Sequence, residues 1–217
     1  MGSLLTSLSI ACARGRDALC CVQCGKRPRW LGDLWPPPPT ATASTLGNAN
    51  EGSVMRVLVT TASKHGATAE IGARIGSVLH ERGHDVEVLC PSDVRDVEPY
   101  DVVVLGSAVY AGRWQEDAKV LAEREASALR HRPVWLFSSG PVGDRPKPEE
   151  VPADVKKVVA ATGAYEHHVF AGRIQKEGLS LTERAVVKAL RVPEGDDRDW
   201  NEIERWATTI ADSISSG

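Results

Sequence analysis

Three short segments of the 217-residue chain carry the residue types needed to hold a phosphorylated ring. The first, Thr61-Ala-Ser-Lys-His-Gly-Ala-Thr68, is small and hydroxylic and runs straight into helix-period sequence. Amide donors at the start of such a helix, the Ser63 and Thr68 hydroxyls and the helix dipole together suit a phosphate, and Gly66 permits close backbone approach. A Ser or Thr that simply caps the helix is the plainer reading of the same residues. The segment has neither the Gly-x-x-x-x-Gly-Lys-Ser/Thr spacing of a nucleoside triphosphate site nor the Gly-x-Gly-x-x-Gly of a dinucleotide site, which leaves a monophosphate. His65 has no evident carboxylate partner in the sequence and is read as a member of this loop, not as a catalyst.

The second segment, Gly106-Ser-Ala-Val-Tyr-Ala-Gly-Arg-Trp114, sets two aromatics behind small residues. An aromatic at an exposed strand end can stack on a flat ring. Tyr110 is assigned that contact, and Trp114 is assigned to packing the start of its own helix. The third segment, Ser138-Ser-Gly-Pro-Val-Gly143, offers backbone amides to the edge of a heterocycle, although Gly-Pro is also ordinary turn chemistry.

The elements that must position these segments alternate regularly. Strand-like runs at Arg56–Thr61, Val86–Cys90, Val102–Ser107, Val134–Ser139 and His167–Gly172 are separated by helical patterns at Ala67–Arg82, Gln115–Arg130 and Ala153–Thr162, with a last helix at Asp199–Ser215. Runs that are apolar on both faces, such as Val102-Val-Val-Leu105, need helices on both sides, the condition of a doubly wound parallel α/β sheet. Ligands of such sheets sit at the carboxyl ends of the strands, where all three segments fall. The connection Pro91–Tyr100 is short, acidic and proline-bearing, with room for a turn of helix.

Composition excludes several classes. A net charge of -3 with 25% charged and 42% hydrophobic residues fits neither a basic nucleic-acid binder nor a disordered acidic chain. No run approaches the ~20 apolar residues of a membrane span. Four of five cysteines crowd Cys12, Cys20, Cys21 and Cys24, a pattern suited to neither a disulfide framework nor a structural zinc site, so the protein is expected in the cytoplasm. Residues 1–54 hold the Pro36–Pro39 block and little periodicity, and read as a disordered or extraneous extension ahead of a domain over 55–217 that starts at Met55.

With these loops, the sequence resembles the flavodoxin family. Ser63-Lys-His-Gly-Ala-Thr68 looks like its phosphate loop, and Leu105–Tyr110 and Phe137–Gly143 look like its two ring-binding loops. The resemblance implies a five-stranded parallel sheet of order 2-1-3-4-5 and flavin mononucleotide (FMN) as cofactor. It implies that Ser63, Lys64, His65, Gly66, Ala67 and Thr68 hold the phosphate. The ring would be flanked by Ser107, Ala108, Val109, Tyr110, Ser138, Ser139, Gly140, Pro141, Val142 and Gly143.

Phe170-Ala-Gly-Arg173, Leu181–Leu190 and Asp199–Ala207 further resemble the branch containing menaquinone-dependent protoporphyrinogen dehydrogenase. That likeness implies an FMN-dependent oxidoreductase of haem biosynthesis, with a porphyrinogen as reductant and a quinone as acceptor, and contact with the inner face of the membrane at most peripheral. On a helix from Thr182, Arg184, Lys188 and Arg191 share a face able to receive propionates, or simply a solvated basic face. The alternative is a non-enzymatic electron carrier serving redox proteins. Carriers are usually strongly acidic, whereas residues 55–217 carry -5, because the first 54 hold five basic and three acidic side chains.

Overall fold

Period-two burial along each strand sets the architecture. The computed structural model describes residues 53–110, 112–140, 153–174 and 194–216. In β1 (Arg56–Ala62), β3 (Val102–Tyr110) and β5 (Val134–Ser139), successive residues feed opposite cores. Val57, Val59, Val102, Val104, Trp135 and Phe137 face α1 (Ala67–Glu81) and α5 (Trp200–Ser215). Leu58, Val103, Leu105, Val134 and Leu136 face α2 (Glu116–Arg124), α3 (Ala126–Leu129) and α4 (Ala153–Thr162). With β2 (Asp85–Leu89) and β6 (Glu166–Phe170) the parallel sheet runs β2-β1-β3-β5-β6, the order expected from the resemblance.

Two glycines let the layers meet. A Cβ on Gly72 of α1 would lie 2.4 Å from the Thr61 methyl, and one on Gly106 of β3 would lie 2.1 Å from the Phe137 ring, so neither site admits a larger residue without displacement.

The structure departs from the sequence reading in three places. β3 does not end at Ser107: it continues to Tyr110 and pairs antiparallel with the short β4 (Arg113–Trp114), Val109 opposite Trp114 and Tyr110 opposite Arg113. The expected helix Gln115–Arg130 is interrupted at Glu125, whose ψ of 10° leaves the helical region. Residues 90–101 hold turns and no helix. Guanidinium groups replace a helix there in satisfying backbone carbonyls, Arg124 donating to Val94 and Arg132 to Val97 and Tyr100, while Val94 and Val97 reach the core.

A two-stranded ladder lies apart from the main sheet, β7 (Arg173–Ile174) antiparallel to β8 (Gly195–Asp196). The extension 1–54, except its last two residues, lies outside the described residues, with its four cysteines. Among the described residues no helix is long and apolar enough to cross a membrane.

Candidate functional site

The carboxyl end of β1 turns directly into α1. Gly66 is the N-cap of that helix, with φ 85°, a left-handed conformation favourable to glycine, and it makes no side-chain cap. The capping role that a Ser or Thr could have filled is therefore not taken: Thr68 is the second residue inside the helix and Ser63 precedes the bend. Both are buried, as is Ala67, while Lys64 and His65 are exposed. The first amides of α1 are among those with no acceptor inside a helix, and they open beside buried hydroxyls at the strand end. That donor set fits a phosphate.

The second segment converges on the first. Tyr110, 37% exposed, ends β3, and the Lys64 ammonium lies 4.1 Å from its ring centroid. Ser107 is turned inward instead, its hydroxyl accepting from the Gln115 amide at 2.9 Å and donating to the Ala108 carbonyl at 3.1 Å. Ala108 lies opposite Ser139 in the parallel ladder, and Val109 is committed to the β3–β4 hairpin.

The third segment is likewise built on an internal chain. Trp114 Nε1 donates to Ser138 Oγ at 2.8 Å, and Ser138 Oγ lies 2.8 Å from His167 Nε2. Ser138 Oγ thus bridges the indole and the imidazole, and the tautomer of His167 sets which of the two donates in their shared bond. Burial lowers the His167 pKa, the neighbouring His168 lowers it further, and Glu166 opposes both. Ser139 is buried, and the Gly140 amide donates to the Phe170 carbonyl at 3.0 Å with φ 121°. Pro141, Val142 and Gly143 lie outside the described residues, as do Arg184, Lys188 and Arg191.

Sequence reasoning missed two sets of residues. One is the Trp114–Ser138–His167 chain, in which Trp114 packs not merely on its own helix but across the sheet. The other is an ion quartet at the first turn of α1. Arg173 grips Glu70 with both terminal nitrogens at 3.0 and 2.8 Å, and Arg198 reaches Glu70 at 2.8 Å, the Ala67 carbonyl at 3.2 Å, and Asp196 at 2.7 and 2.6 Å. Partners here are more than 100 positions apart for Glu70, beyond the reach of local pattern; the acidic residue in the first helical turn was the available signal.

Comparison with known proteins agrees with this fold. No curated protein matches the chain. Among solved structures, oxidised flavodoxin 1 from Bacillus cereus is 17% identical with a TM-score of 0.50, over 72% of this chain and 97% of that one. The flavodoxin of Streptococcus pneumonia TIGR4 is 17% identical with a TM-score of 0.50, over 73% of this chain and 99% of that one. Rubredoxin oxygen:oxidoreductase from Desulfovibrio gigas is 12% identical with a TM-score of 0.51, over 74% of this chain and 36% of that one. These likenesses show the fold. The family described as "Flavodoxin domain" matches residues 58–201, and on that match the chain belongs to the flavodoxin family.

Proposed function

We propose that this flavodoxin-family protein is an FMN-dependent oxidoreductase that takes electrons from a small anionic reductant, a porphyrinogen such as protoporphyrinogen IX, and passes them to a quinone. FMN is the family's cofactor and gives the protein its redox role. When bound, FMN accepts and releases the electrons; the chain supplies position and electrostatics. In this reading the amides of residues 66–69 with Ser63 and Thr68 hold the phosphate. Tyr110 forms one wall of the ring site, and the backbone at Ser138–Gly140 with Pro141–Gly143 forms the other.

The observation that supports a small anionic reductant is the character of the rim. Exposed Lys64 lies over the ring of exposed Tyr110, exposed Arg113 lies opposite it in the hairpin, and exposed His65 follows Lys64 in the loop. Cationic side chains at the mouth draw in carboxylates and orient them toward the ring edge. Arg184, Lys188 and Arg191, outside the described residues, are the further candidates for binding the reductant's carboxylates.

The second reading, an electron carrier for redox proteins, is favoured by the alignment of nearly the whole Bacillus cereus flavodoxin with this chain. One experiment separates the two. The purified full chain, loaded with FMN, is assayed for oxidation of protoporphyrinogen IX with a soluble menaquinone analogue. Turnover above the free-flavin background supports the enzyme; a background rate removes the porphyrinogen and leaves the carrier. A colourless protein that takes up no added FMN removes both.

A further inference from the structure

The ion quartet at α1 has no part in the reading above, yet it lies against the helix turn to which the phosphate is assigned. Glu70 presents the difficulty. A carboxylate in the first turn favours the helix dipole, but it stands within about one turn, some 5 Å of rise, of amides that would bind a doubly negative phosphate. Left alone, it would repel the ligand that those amides attract.

Two arginines answer it. The Arg198 side chain is only 2% exposed and is fixed from four directions: the Ala67 carbonyl, Glu70, both oxygens of Asp196, and the Trp200 ring, whose centroid is 4.5 Å away. Arg173 closes the other side of Glu70 with a two-pronged pair. Burial by itself would lower the Arg198 pKa; hydrogen bonds to Asp196 and Glu70 outweigh it and raise it, so the cation is permanent. The four charges sum to zero. Both arginines come from the β7–β8 ladder and the residues just after it, the Asp197 amide donating to the Gly172 carbonyl at 3.1 Å. The ladder thus carries the neutralising charge to a helix start more than 100 residues away in sequence.

We infer that Arg198, with Arg173, is a positioning residue for cofactor binding: it neutralises Glu70 and fixes the first turn of α1, so that the phosphate of FMN meets amides without a competing carboxylate. This rests on the FMN reading. It predicts a specific energetic signature, because the effect must be felt by the phosphate and not by the ring.

The test compares FMN with riboflavin, which lacks the phosphate, by flavin fluorescence titration of the full chain. In Arg198→Met the quartet carries one net negative charge, and FMN affinity should fall roughly 10-fold while riboflavin affinity stays within about 2-fold. Arg198→Lys keeps the charge and should lose less. The double variant Arg198→Met with Glu70→Gln is neutral again and should regain most of the FMN affinity. Should Arg198→Met fail to fold, Glu70→Gln alone, with one net positive charge, should bind FMN several-fold more tightly and riboflavin unchanged.

FMN and riboflavin weakening together, or no recovery in the double variant, would overturn the inference and make Arg198 a strut. If Glu70→Gln alone left the ratio of the two affinities unaltered, the inference would equally fall. A wild-type chain that binds neither flavin would overturn the flavin reading itself, and this inference with it.

Discussion

The two ends of the candidate site are built from opposite chemistry. At the phosphate end, the bend at Gly66 is backed by permanent charges, with Arg173, Glu70, Arg198 and Asp196 locked in one network. At the ring end, the segments after β3 and β5 rest on a neutral hydrogen-bond chain, Trp114 to Ser138 to His167, over the aromatic packing of Phe137 against Phe170 and Trp206. The contrast matches the demands on each. A phosphate needs a fixed field of donors, whereas a ring needs walls held in position, which a hydrogen-bond chain and aromatic packing supply.

The largest test falls on the ring end's foundation. Gly106 has no room for a methyl, so Gly106→Ala should force Phe137 aside and cost about 1–3 kcal/mol, read as a lower urea midpoint. A midpoint equal to wild type would mean that the strand and ring shift freely, and the ring end would not be the rigid platform described.

Next in size is Gly66→Val at the phosphate end. A β-branched residue at φ 85° costs about 1–3 kcal/mol, and the strained bend should release FMN 10-fold or more readily while riboflavin binding changes little. Thr68→Val, which keeps shape and removes only the hydroxyl, should give a smaller loss with the same selectivity. Equal losses for both flavins would show that the bend does not distinguish the phosphate.

The complementary variant is Tyr110→Ala. An exposed aromatic that stacks on the ring contributes about 1 kcal/mol, so FMN and riboflavin should weaken alike, by several-fold. A loss confined to FMN would place Tyr110, through the Lys64 ammonium above it, at the phosphate end.

The two ends also differed in legibility. β1, the start of α1 and the alternation to α5 follow from apolar period and from the Asp199 cap, whose side chain accepts from the Asn201 and Glu202 amides. The segment 61–68 stood out because small hydroxylic residues run straight into a helix there, a pattern that a cap explains as readily as a phosphate. The hairpin that carries β3 on to Tyr110 was hidden: pairing of Val109 with Trp114 is a cross-strand choice with no local marker. The burial of the Ser107 and Ser138 hydroxyls in internal bonds was equally invisible, since a serine at a strand end reads the same whether it faces solvent, ligand or tryptophan. The quartet joins residues whose charges, taken singly, resemble any solvated surface.

The smallest expected effect separates the ends by pH. His167 shares a hydrogen bond with Ser138 and lies beside His168 and Glu166, with Trp114 across from it. Its pKa in the folded state lies below the ordinary value of about 6.5, so between those two values the unfolded chain binds the extra proton and the folded chain does not. Stability therefore falls as pH drops below about 6.5 and stops falling once the folded imidazole is itself protonated. Buried His84, also lowered by burial, adds a loss of the same sign. At the phosphate end, Asp196 is held below the usual carboxylate range by its bonds to Arg198, so its contribution is complete above about pH 4 and is lost only as pH falls through the depressed value. Between pH 7.5 and 5, then, urea midpoints should decline in the wild type and decline less in His167→Gln, whose amide can donate to or accept from Ser138 and cannot titrate. Arg198→Met should leave that slope unchanged. Identical slopes for wild type and His167→Gln would show that the ring end is no more sensitive to protons than the quartet, and the contrast between a charged and a neutral foundation would fail.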